Sequence, residues 1–219
     1  MTDDRKSGFA LIAGMAGTII TMAFHPTFND VAGSGSTAHF MLHLNVAVHA
    51  LALTCMPVLF LGALGLTRRL DAPNRYAITA LVIFGFAEIA GMIAGTASGL
   101  IAPELIRHLN STAPGQDQIW RAVLDLDGRI NQSFALLFVV ASAAAILFWS
   151  LAIRKAPAFT RWLATYGCIF APLTVLAVLS GHVRLNVHGF GMVVLVEAVW
   201  IIGAGVTLCQ RRNAGASAA

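Results

Sequence analysis

The chain has 219 residues, 58% of them hydrophobic and only 11% charged, with a formal net charge of +4. Soluble domains average about 25% charged residues, so a water-soluble globular fold is excluded in favour of a membrane protein. A charge of +4 does not argue for nucleic acid, and three cysteines, Cys55, Cys168 and Cys209, with no CxxC pair offer no disulfide framework.

Apolar runs near 20 residues recur along the chain, the length that a helix needs to cross a hydrocarbon core of about 30 Å. They predict an all-α membrane protein, a bundle of six transmembrane helices, with spans at about 8–25, 39–66, 77–101, 130–153, 162–181 and 188–209. The whole of 1–212 reads as one transmembrane domain, followed by a disordered tail at 213–219. Arg5 and Lys6 precede the first apolar run, but no small-x-small cleavage site follows before His25-Pro26, so a retained span is expected there.

Six spans put both termini on one side of the membrane. With the termini inside, the inner segments carry Arg5, Lys6, Arg68, Arg69, Arg75, Arg154, Lys155, Arg161, Arg211 and Arg212. The outer segments carry only Arg107, Arg121, Arg129 and Arg184. Cytoplasmic loops are the ones enriched in Lys and Arg, so both termini are expected in the cytoplasm.

The second predicted span, from His39 to Arg69, is the unusual one. Its first half carries His39, His43, Asn45 and His49, and Pro57 interrupts its second half. Polar groups at membrane depth are costly unless they face protein, water or a ligand, so this side is expected to turn into the bundle. In the third span Gly91, Gly95 and Gly99 recur every four residues, a small-residue stripe on which another helix, of this chain or of a partner, can pack closely. Between the third and fourth spans, Asp117 to Leu126 has amphipathic spacing. It reads either as a helix lying in the interface or as a fourth span that protrudes from the membrane.

Glu88 and Glu197 are the only acidic residues inside predicted spans. Counted along their helices they fall roughly 12–17 Å into the core, and His49 comes out at a comparable depth. One expectation is therefore a proton-linked or ligand site made from His49, Glu88, Glu197 and Asn45. A second constellation lies at the outer rim, where His25, His39, His43, His182 and His188 fall at one level, with Asp30 and His108 in the adjoining loops. His39 and His43 at i, i+4 share a helix face and could share a metal. Imidazole suits Zn, Cu or Fe, and a haem would need axial histidines on facing helices. No Walker loop, GxSxG, HExxH or GxGxxG occurs.

Phe148 to Trp162, an aromatic span end with a basic turn and Arg-Trp, and the closing VEAVWIIGAGVTLCQRR resemble a group of uncharacterised bacterial six-span membrane proteins carrying a domain of unknown function. The resemblance implies a six-helix fold in a bacterial cytoplasmic membrane and brings no catalytic residues with it. Three functions stay open: a small-molecule or ion-handling protein with a His/Glu site, a metalloenzyme or haem protein using the rim histidines, and a non-catalytic partner or homo-oligomer subunit assembling through the glycine stripe. No reaction is fixed by any motif.

Overall fold

The computed structural model describes residues 3–27, 36–70, 75–113, 115, 117–156 and 159–210. Its helices are α1 (Asp3–Ala23), α2 (Ser36–Arg69), α3 (Arg75–Thr96), α4 (Ala102–Ser111), α5 (Gln118–Ile153), α6 (Arg161–Leu179) and α7 (Val187–Cys209), with a π turn at Ala97–Ile101 joining α3 to α4. Taking α3 through α4 as one unit, six helices are long and apolar enough to cross a membrane. Phe86, Leu61, Leu173 and Leu195 are each more than half exposed. Such apolar side chains on the outside of the bundle suit a lipid surround and not water.

α3 packs along α5, α1 fits between α2 and α7, and α6 lies against α5 and α7. The α1–α7 contact is nearly backbone to backbone. A Cβ at Gly8 would sit 2.5 Å from the Gly205 carbonyl oxygen. That contact also brings the start of α1 and the end of α7 to the same end of the bundle, where Arg69 pairs with Asp4 at 3.4 Å and Lys155 lies over the Tyr76 ring.

A stacked tryptophan pair joins α5 and α7 within the core. Trp149 and Trp200 are 2% and 1% exposed, and their rings stack with centroids 5.9 Å apart. Each indole N–H must find an acceptor in so dry a place. Trp149 Nε1 donates to Thr67 Oγ1 on α2 at 3.0 Å, and Trp200 Nε1 donates to Ser150 Oγ on α5 at 3.0 Å and the Leu163 carbonyl on α6 at 3.1 Å.

At the opposite end the two readings of Asp117 to Leu126 are separated: it is not a separate interfacial helix but the head of a long fourth span, and α5 runs unbroken for 36 residues. Its head packs through Leu124 with Leu42, Met41 and Ile106, so α2, α4 and α5 together build a layer beyond the main core. The third span likewise does not end at Ile101. It continues through Pro103 because the π turn accommodates the missing amide. Asp30 and the tail from 213 lie outside the described residues.

The glycine stripe is filled by the chain itself. A Cβ at Gly91 would meet Met56 and Phe138, one at Gly95 would touch Leu53, and one at Gly99 would fall on the His49 ring. The stripe therefore serves the approach of α2 and α5 to α3.

Candidate functional site

The π turn creates the first feature of the site. Ala102 N–H bonds the Ala97 carbonyl, an i→i−5 step. In the same register residue 103 would serve the Ser98 carbonyl, but Pro103 has no N–H. A carbonyl left unserved inside a membrane protein needs another donor. Asn45 on α2 supplies it: its Nδ2 donates to the Ser98 oxygen at 2.9 Å. Asn45 is thereby a locked, buried group, 6% exposed, and not a free ligand.

One turn further along α2 is His49, 7% exposed. Its ring lies on Gly99, the stripe position where any side chain would collide with it. The Nδ1 atom of His49 is 2.8 Å from the Asn45 carbonyl. On the other side stands His25, in the short turn after α1, where Pro26 prevents the helix from continuing. His25 Nδ1 is 2.7 Å from the Pro26 carbonyl, and the two rings meet edge on, Nε2 to Nε2, at 3.3 Å.

This pair stands in a cavity of about 1650 Å³, larger than the 300–1,000 Å³ of ordinary ligand pockets. Apolar side chains such as Val48, Met56, Phe138 and Phe190 form much of the wall, and His25, Asn45 and His49 form its polar patch. Toward α4 and the head of α5 the lining turns polar, with Arg121, Asp125, Arg129 and Gln132. At the base of that head the Arg121 guanidinium, 2.6 Å from Asp117, holds the Asp117 carboxyl below the usual carboxylate range. Arg129 bonds Asp125 at 3.0 Å, one turn apart on the same helix.

The two acids are elsewhere. Glu197, 5% exposed on α7, accepts a 2.6 Å hydrogen bond from Ser142 Oγ on α5. Glu88 on α3 is 6% exposed and near enough to Glu197 for the two carboxyls to interact electrostatically. Its Oε2 is buried without a hydrogen-bond partner among the described residues. Neither acid lines the large cavity. The stripe contacts place His49 level with Gly99, and Gly99 is about 16 Å of helix rise from Glu88 at about 1.5 Å per residue.

The expected four-residue site is thus divided. His49 and Asn45 come together beside the cavity, Glu88 lies at another level of the bundle, and Glu197 is tied to Ser142 outside the cavity. The depth count failed because α2 is 34 residues long, about 51 Å, and so overruns a core of about 30 Å. Distance from the first residue of such a helix is not depth.

The rim histidines do not gather either. His39 and His43 meet ring to ring at 4.5 Å on the exposed start of α2. His182 bonds Ser180 at 2.8 Å, His108 stacks on Trp120 at 4.8 Å, and His188 lies at the cavity edge. Among the described residues no three His, Cys, Asp or Glu side chains converge as a metal-binding group. Only His25 leaves the rim set, to pair with His49. Ser98, Pro103 and Ser142 are site residues that sequence reasoning missed. Pro103, inside an otherwise helical apolar run, was the available signal for the first two.

No family model matches the chain, and no curated protein and no solved structure matches it. The functional reading rests on the geometry.

Proposed function

We propose that this is a six-span protein of a bacterial cytoplasmic membrane that binds a small molecule in the cavity between α1, α2, α3, α4, α5 and α7. The basic end of the bundle faces the cytoplasm, by the charge asymmetry, and the cavity opens on the opposite side. One observation carries the proposal: a space of about 1650 Å³ with His25 and the buried Asn45 and His49 at its inner end, apolar wall beside them, and a polar lining toward α4 and the head of α5. A ligand with an apolar body and one polar group fits that division. The body would lie along Val48, Met56 and Phe138, and the polar group would reach His25 and His49.

Orientation and access are read together by cysteine labelling on intact cells, with Cys55, Cys168 and Cys209 replaced by alanine. Ala52→Cys, inside the cavity, is expected to react with a membrane-impermeant maleimide added from outside. Leu51→Cys, one residue earlier and turned to the bundle surface, is expected to stay unlabelled. Reaction only from the cytoplasmic side would reverse the orientation, and silence at residue 52 from both sides would remove the open cavity.

Occupancy is read by native mass spectrometry of protein released from detergent. The parent chain is expected to carry a bound species of small-molecule mass, and Ala52→Phe, which places a ring in the space between His49 and Met56, is expected to lose it. A species retained equally by both proteins would place binding somewhere else.

A further inference from the structure

The His25–His49 pair has a hydrogen-bonding problem that one kind of ligand resolves. A carbonyl oxygen can only accept, so the nitrogen facing it must carry the proton. Both Nδ1 atoms face carbonyls, at 2.7 and 2.8 Å, so both are N–H donors, a tautomer assigned from the partners. In neutral rings both Nε2 atoms then carry bare lone pairs, held 3.3 Å apart where the two rings meet edge on. Two acceptors cannot satisfy one another. Something electron-poor belongs between or beside them.

A shared proton is the first option, since one imidazolium could donate to its neighbour. Hydrogen bonds from N–H run about 2.7–3.2 Å, and charge-assisted ones lie at the short end of that range. A spacing of 3.3 Å is long for such a bond. A metal ion is the second option. Two Zn–N bonds of about 2.0–2.1 Å at the tetrahedral angle place their nitrogens about 3.3–3.4 Å apart. Two bonds in line, as on either face of a haem, would need about 4 Å. The observed spacing matches the tetrahedral edge.

The surroundings agree. Metal-binding histidines commonly donate their other N–H to a carbonyl, which fixes the tautomer and aims the lone pair, and both rings here are held that way. Gly99 leaves room for the His49 ring where any other residue would displace it. The cavity beside the pair gives the space that further ligands of the ion would occupy.

We propose that His25 and His49 bind a divalent metal ion of tetrahedral preference, Zn²⁺ by its chemistry, through their Nε2 atoms, with the remaining coordination positions open to the cavity. With two protein ligands the ion has fewer than the three of a catalytic zinc or the four of a structural one, so it is held exchangeably and not as a closed structural centre. Such an ion could hold the polar end of the cavity ligand, but metal binding does not depend on one. Metal is read with no organic ligand present, so either proposal can fail alone.

The test uses the full chain purified in detergent and stripped with a chelator, with Co²⁺ as the coloured substitute for Zn²⁺. Equimolar Co²⁺ is expected to give the visible absorption of tetrahedral coordination, and Zn²⁺ is expected to bleach it. His25→Ala and His49→Ala should each weaken binding at least about 100-fold, since loss even of second-shell partners typically costs 10–100-fold. His43→Ala should bind as the parent does. A folded parent that gives no tetrahedral Co²⁺ band overturns the proposal, and so does a band that survives His25→Ala undiminished. His25 lies beyond the end of α1 and outside the packed core, so that variant decides the matter even if His49→Ala fails to fold.

Discussion

Trp200→Ala is expected to cost the bundle about 3–5 kcal/mol, the range for deleting a buried aromatic side chain, read as a shifted midpoint of unfolding in mixed micelles. In lipid the water-driven part of that loss is small, because the surroundings of an unpacked helix are themselves apolar. Lost contacts are what remain, and this ring has many. It is 1% exposed, stacks on Trp149, and places its N–H between Ser150 of α5 and the Leu163 carbonyl of α6. Gly167 leaves room for this hydrogen bond, since a Cβ there would fall on Ser150 Oγ and lie 2.7 Å from Nε1. Trp200→Phe separates the two contributions. It keeps most of the volume and loses both hydrogen bonds, so it should cost about 1–2 kcal/mol. A Trp200→Ala protein less than about 1 kcal/mol weaker than its parent would mean that α5, α6 and α7 are held by something other than this joint.

The stack also shows what could be read from the sequence. Helix number and order were legible because apolar runs of span length leave few alternatives, and the basic residues mark one end of every helix. Pairings across the bundle left no such trace. Trp149 and Thr67 are joined by a hydrogen bond over 82 residues of sequence, and no periodicity records it. Which of the two readings of Asp117 to Leu126 holds turned on Gly128, and glycine in a helix costs only about 1 kcal/mol relative to alanine. A 36-residue helix absorbs that easily where nothing lies within 4 Å.

The candidate site was legible in its residues and not in its grouping. His49, Asn45, Glu88 and Glu197 stood out as polar groups in apolar helices, and all four are buried. The separation of His49 from Glu88 follows from the register of α2 on α3, which is set by which side chain rests on which glycine. His25 was assigned to the rim because it ends a span, while its ring in fact turns back to His49. That return depends on the turn after α1, whose path a linear pattern does not contain.

The register itself predicts a graded series, the second large effect. Alanine at Gly128 should be neutral or stabilise by about 0.5–1 kcal/mol, because it gains helix propensity in open space. At Gly95 the new Cβ would lie 3.4 Å from Leu53 Cδ2, an ordinary contact, so little change is expected. At Gly91 it would come within 2.8 Å of Met56 Cε and of Phe138, and the thioether can swing aside more readily than the ring. At Gly99 it would fall on Cβ and Cγ of His49, the root of a side chain whose far end is fixed by Asn45 and His25. Here α2 must move bodily or the ring must leave the cavity. Overpacking of this kind costs about 1–3 kcal/mol or more, and Gly99→Leu should exceed Gly99→Ala. Thermal melting in detergent ranks the four alanine variants, and Co²⁺ absorption on the same samples reports whether His49 has moved. A Gly99→Ala protein that melts with its parent and retains the metal would show that α2 does not meet α3 in this register, and the separation of His49 from Glu88 would lose its basis.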